Sequence, residues 1–345
     1  MKQICIAHDF CEIPLKADYS MSVYEVFQQA TAWVIDSSGW LGILALLYRR
    51  RRLDSMPPHW PSWVPDLRDP FPRPMCIFAP DIVDRVARHA SVMTPETQPV
   101  VQGPEVYVSI KRIGVIVDVG DTYEAMLEEG CFEMSARLLL RCPEVVNGNG
   151  HTRLDLWMDA LSGISTETPC EERRAEFKHW LSYFMYHKMQ SDFREGKIER
   201  GREYLETMPS LMALADSDET NVIPSLEYWM SIGQNLNRVR EIMGHRPSFA
   251  TIEIDGRRLF RLSDFALPTC PSATLLGIGP EDVQAGDEVC LVAGTVMPVV
   301  LRRGRDYTSG HTLPTAQAVG EARLSWLDEI VPRLEDEEWL RWVLR

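Results

Sequence analysis

Few of the 345 residues fall into patterns that chemistry needs. Gly277-x-Gly279 invites a phosphate-cradling loop, in which glycine lets backbone N–H groups approach an anion closely. The third glycine of a dinucleotide fingerprint would fall on Asp282, however, and Pro280 blocks the entry to a helix. The spacing predicts a tight turn between strands instead. His179, Tyr183 and His187 recur every four residues on one helical face. The two histidines would stand about 12 Å apart along the axis, too far to share one metal ion, so a solvated or partly buried face is expected. No Gly-x-Ser-x-Gly nucleophile elbow occurs. Asp66 and Asp69 flank a proline turn, where carboxylates accept from backbone donors. Arg302 ends an apolar run and is expected to be a buried ion-pair partner for a carboxylate rather than to act on a substrate. No residue is assigned a catalytic, cofactor-binding or metal-ligating role, and no cofactor is expected.

Charge and cysteine usage narrow the partners. Fifty acidic residues against 36 basic ones leave a net charge of −14, which repels phosphate backbones and anionic lipid. Arg49-Arg50-Arg51-Arg52 is a short basic run with no interleaved aromatics, so neither nucleic acid nor membrane is an expected partner. The eight cysteines (5, 11, 76, 131, 142, 170, 270 and 290) show no Cys-x-x-Cys pair and no zinc-ligand spacing with histidine. The first residues are too weakly apolar for a signal peptide, and the longest apolar run, Trp40 to Leu47, is far short of the roughly 20 residues of a membrane span. A cytoplasmic protein with reduced thiols is the expectation.

The elements that must position these residues read as α+β. Helices dominate the N-terminal and middle parts, and a small antiparallel sheet or partial barrel lies near the C-terminus. Residues 1–55 are expected to be helical, with a capping box at Ser22 and Glu25, an apolar stripe through Val23, Phe27, Ala30 and Val34, and a second helix from Trp40 to Tyr48. Residues 56–120 open with eight prolines between Met56 and Pro80, which exclude helix and central strand. The interleaved Trp60 and Trp63 predict a strap laid over the helical part, with Trp63 buried. A short helix is expected at Asp81–Ala90. Val106, Val108 and Ile110 then alternate as a strand, and Lys111-Arg112 shifts the phase to Ile113, Val115 and Val117, the mark of a bulge. Residues 121–246 read as a helical block ending at a left-handed Gly244 cap, with Asn147–Gly150 as a turn and Ala213–Thr220 as a solvated acidic loop. Residues 247–345 read as an antiparallel β unit: a hairpin at Asp255-Gly256, then strands at Thr274–Ile278, Glu288–Ala293 and Pro298–Arg302, then an amphipathic helix from Trp326.

Three stretches, in this order, resemble the region that follows the HET domain in fungal heterokaryon-incompatibility proteins. Ala17-Asp18-Tyr19-Ser20-Met21-Ser22-Val23-Tyr24-Glu25-Val26-Phe27 looks like the entry to the helix that closes the HET domain. Trp60-Pro61-Ser62-Trp63-Val64-Pro65-Asp66 matches the family's Leu-Pro-Ser-Trp-Val-Pro-Asp-Trp signature, with Trp60 for the leading leucine and Leu67 for the final tryptophan. Leu276-Gly277-Ile278-Gly279-Pro280, Gly286-Asp287-Glu288-Val289, Gly294 and Pro298-Val299-Val300-Leu301-Arg302 are similar to its strand series. The family's closing motif is reduced to Ala318-Val319-Gly320-Glu321.

The likeness spans roughly residues 12 to 323 and leaves out most of the HET domain, a fold related to Toll/interleukin-receptor domains. It implies either a truncated gene product or a separate tail. It also implies a role in non-self recognition and programmed cell death, as a non-catalytic interaction region. The expected partner is a HET domain or a second copy, docked on an apolar surface near Gly39–Tyr48. The alternative is an enzyme of unknown reaction, in specialised metabolism, whose site assembles from distant residues.

Overall fold

One strand organises the molecule. Strand β2 (Glu105–Thr122) is 18 residues long because its β-branched residues continue through the phase shift instead of stopping at it. In the computed structural model, the described residues are 19–47, 60–68, 94, 96–128, 131–143, 152–161, 170–196, 201–217, 222–232, 237, 239–240, 244, 256–263, 275–304, 313–325, 334 and 337–345. Along one edge β2 pairs first with β9 (Leu340–Leu344) and then with β3 (Arg257–Ser263). Along the other it pairs with β1 (Val100–Gln102) and then β5 (Glu288–Val292). The register against β5 slips between Arg112 and Gly114, the bulge expected from the phase shift. Its consequence is a change of core: Val106, Val108 and Ile110 lie in one apolar cluster, Ile113 and Ile116 in another.

Strands β5, β6 (Val299–Arg303), β7 (Thr315–Glu321), β9 and β2 follow one another, and β5 returns to β2, so five strands close into a barrel. Strands β3, β4 (Leu275–Pro280) and β8 (Arg323–Leu324) extend the sheet beyond β2. The fold is α+β, but its sheet is a closed barrel with extra strands rather than a small antiparallel sheet confined to the C-terminal part. Alternate residues of all five barrel strands (Val108, Cys290, Leu301, Ala318 and Trp342 among them) meet in one cluster, which only the inside of a barrel can bring together.

The expected C-terminal helix is corrected here. Leu340–Leu344 is a strand, antiparallel to β2 and parallel to β7, and it closes the barrel; pairing on both edges overrides any local helical preference.

Helix α1 (Val23–Ser38) begins at the expected capping box, where Ser22 Oγ accepts from the Glu25 N–H and the Glu25 carboxylate accepts from the Ser22 N–H. The run after it forms a short 3-10 turn, Gly42–Leu46, instead of an α-helix. Leu41, Ile43, Leu44, Ala45 and Leu47 are buried, the leucines and isoleucine in the barrel cluster, so the apolar surface expected there is not exposed; only Trp40 stands out, 47% exposed. The Trp60–Asp66 segment also packs on the barrel, not on the helical block.

Helices α2 (Tyr123–Glu128), α3 (Glu133–Leu140), α4 (Arg153–Leu161), α5 (Cys170–Arg194), α6 (Gly201–Glu206), α7 (Pro209–Asp216) and α8 (Leu226–Ile232) form the other layer. They bury Trp157, Phe177, Trp180 and Leu211 against β3 and β4. Two expectations fail in this layer. The acidic stretch at Ala213–Thr220 begins inside α7, where Leu214 and Ala215 are buried, and Gly244 is itself helical rather than a left-handed cap. The expected elements at Asp81–Ala90 and Asn147–Gly150, the first arm of the Asp255-Gly256 hairpin and the Arg49–Arg52 run lie outside the described residues. No helix among the described residues is long and apolar enough to cross a membrane.

Candidate functional site

The residues that carry the family likeness are largely engaged in holding the barrel together. Trp63 is fully buried, and its indole N–H donates to the Pro104 carbonyl at 2.8 Å, fixing the segment to the β1–β2 turn. Pro61, Ser62, Val64 and Pro65 are buried around it, and Ser62 Oγ accepts from the Ala318 N–H of β7 at 2.9 Å. Trp60 donates to the Val64 carbonyl and meets the Tyr24 ring edge-on at 5.0 Å, tying α1 to the same segment. Asp66 accepts from the Arg68 N–H and guanidinium, the turn-capping role expected of it; Asp69 lies outside the described residues.

Asp287 and Arg302, from two separate pieces of the strand series, form the ion pair expected of Arg302, with the carboxylate buried but Arg302 itself only half-buried. Arg302 Nε and Nη2 each reach one Asp287 oxygen at 2.8 Å, and Nη2 also donates to the Asp282 carbonyl. Hydrogen bonding to Asp287 raises the Arg302 pKa against the opposing effect of burial. Gly286, at φ 95°, turns the chain into this pair and donates to the Ile116 carbonyl. The carbonyl of Gly294 accepts from the Leu41 N–H, that of Pro298 accepts from the Ala322 N–H, and Leu301 is wholly buried.

Gly277 and Gly279 lie in β4 and not in the tight turn expected of them. A Cβ on Gly277 would stand 2.5 Å from the Phe260 ring and 2.7 Å from Leu324, so the missing side chain makes room for core packing, not for phosphate. Pro280 ends the same strand, paired with Arg257.

Tyr183 and His187 stack at 6.3 Å, with His187 exposed. Among the described residues no group of three His, Cys, Asp or Glu could hold a metal ion, and Cys131, Cys142 and Cys290 form no disulfide. Burial pushes the Cys142 thiol up to about 11 and raises Cys290 as well, so neither is a ready nucleophile.

The arrangement that stands out was not anticipated. Helix α4 is buried from Leu154 to Leu161, yet it carries Asp155 and Asp159 one turn apart. Thr152 and Asp155 cap its start reciprocally. The first turn of α5 brings Arg173 and Arg174 opposite. Arg174 Nη2 reaches both Asp155 oxygens at 3.1 Å, and Arg173 Nη2 stands 3.6 Å from Asp159 Oδ1. Burial opposes ionisation of Asp155, but donors from Thr152 and Arg174 outweigh it and hold the carboxyl below its ordinary value.

From the sheet side, β8 adds Arg323, 3% exposed and opposite Ile278 in β4. Ser325 clamps that strand by hydrogen bonds to Leu276. Burial lowers the Arg323 pKa, Asp159 counteracts this and Arg173 adds to it, so the three charges sense one another. The signal was legible only as carboxylates at i, i+4 on an apolar helix and as an arginine between Ala322 and Leu324. Nothing local joins them.

Another buried carboxylate, Asp121, accepts from the Ser135 N–H at 2.7 Å at the start of α3. Burial raises its pKa above the ordinary 3.8 despite hydrogen bonds from Ser135 and Cys131. Because the folded-state pKa is the higher one, protonation favours the folded state, and that contribution disappears as pH rises through the raised pKa. The stability of the native chain relative to Asp121→Asn is expected to fall as pH rises from about 4 through that raised pKa. Denaturation midpoints of both proteins across that range check this; a constant difference would refute it.

No family model matches the chain, and no match was found among curated proteins or solved structures.

Proposed function

We propose that the chain is a non-catalytic interaction region of a heterokaryon-incompatibility-type protein, acting in non-self recognition and programmed cell death. The observation that carries this reading is the use made of the motif residues. Trp63, Ser62 and the Asp287–Arg302 pair hold the barrel together, as parts of a scaffold would. The partner is a HET domain. Its docking surface runs along α1, the helix that in the likeness closes that domain. Tyr19 and Val23 are exposed at the start of α1, and Trp40 just beyond its end. Tryptophan at such a place is a strong anchor, because truncating one at an interface centre commonly costs 2 kcal/mol or more.

The test is sedimentation of the chain mixed with a separately expressed HET domain from a protein carrying the same motifs. A saturable complex is expected, weakened at least about tenfold by Trp40→Ser, with the fold unchanged. Absence of any complex, or equal binding by the variant, would count against the reading. The cytoplasm is the proposed compartment.

A further inference from the structure

We propose that the exposed face of α1 docks against a basic surface of the HET domain, and that a second copy of this chain does not fit there. The proposal rests on the reading above and adds the chemistry that the partner must bring. Glu25, Gln29 and Asp36 recur at i, i+4 and i+11, so they share one side of the helix, and all three are exposed. The other side is engaged with the barrel: Ile35 is wholly buried in its cluster, and Phe27 and Val34 pack against it. The two carboxylates stand about 16 Å apart along the axis. From Tyr19 to Leu47 the chain carries no lysine, arginine or histidine. Arg68 does reach Tyr24, but its guanidinium is held by Asp66. The face is acidic, in a chain whose net charge is already −14.

Asp36 carries the argument furthest. It sits in the last turn of α1, where the helix carbonyls favour a cation and the turn itself supplies none. Among the described residues it makes no hydrogen bond and no ion pair. A carboxylate set against the helix dipole gains nothing from its own fold, whereas a cation from outside would satisfy both it and the helix end. An apolar anchor stands beside it. Gly39, at φ 67°, ends the helix, and the Trp40 ring then lies so close on Gly42 that a Cβ there would overlap it. The indole is 47% exposed yet held in place, which lowers the ordering cost of burying it on a partner. Such an anchor beside unpartnered negative charge fits an apolar pocket rimmed by lysine or arginine. A second copy would bring the same carboxylates to a two-fold contact and be repelled.

The experiment is sedimentation of the full chain, alone and mixed with the separately expressed HET domain, at about 0.05 and about 0.5 M salt. Alone, the chain is expected to stay monomeric at both. The complex should weaken about tenfold at the higher salt, where exposed charges are screened. Asp36→Lys should weaken the low-salt complex about tenfold as well, and Asp36→Asn by less. The thermal midpoint of free Asp36→Lys should equal or exceed the native one, because lysine suits the helix end. A lowered midpoint would assign Asp36 to the fold and overturn the proposal. So would a complex indifferent to salt, Asp36→Lys binding as the native chain does, or a native dimer that Trp40→Ser breaks. Each of the first three leaves docking of the HET domain along α1 intact. No complex at either salt would overturn that reading together with this one.

Discussion

Replacing Trp63 with alanine is expected to destabilise the protein by about 3–5 kcal/mol, the usual cost of removing a large aromatic from a core. Two losses add. The side chain is completely buried among Leu44, Val106 and the inner face of the barrel, and the substitution leaves a cavity there. The Pro104 carbonyl also loses its 2.8 Å donor. Tyr19→Ala, at a residue 78% exposed, should stay within about 0.5 kcal/mol and serves as the control. Urea denaturation of the three proteins decides it. A Trp63→Ala midpoint equal to the native one would mean that the segment does not plug the barrel.

Arg302→Ala is expected to cost a comparable amount, about 3–5 kcal/mol, because it strands a carboxylate. Asp287 is 1% exposed and has both oxygens committed to Arg302, with one also accepting from the Gln284 N–H. Asp287→Ala should cost less, since the Arg302 side chain is 26% exposed and can turn to water. The double variant Asp287→Leu with Arg302→Met should recover much of the loss, as replacing a buried pair by apolar groups often does. A double variant as unstable as the sum of the two single ones would show that the residues act separately.

These two residues also show how far local sequence reaches. That Arg302 needed a carboxylate was legible from its place at the end of an apolar strand. The bulge in β2 was legible from the change of phase at Lys111-Arg112, and the start of α1 from its capping box. Each is decided by residues within a few positions of one another. Barrel closure is not. It depends on Val106–Ile110 pairing with Leu340–Leu344, more than two hundred residues later, and the tail's own pattern suited a helix until that gap claimed it.

The glycines of β4 misled for a related reason. Gly277 is absent-side-chain space for Phe260 and Leu324, which the chain brings from two other strands. The charge cluster was legible only in separate pieces, because Asp159, Arg173 and Arg323 come from three elements and nothing local joins them. The apolar run after Trp40 was read correctly as apolar, but its surroundings were not visible, and the barrel covers it.

If the chain acts as proposed, it binds a partner and does no chemistry of its own. The HET domain's kinship with NAD-cleaving folds makes NAD the substrate to try, so the measurement that tests this most directly is NAD turnover by the purified full chain, alone and mixed with a HET domain, with binding recorded in the same samples. The predicted result is a complex without NAD consumption by the chain alone. Turnover by the chain on its own, abolished by a point substitution within it, would contradict the account.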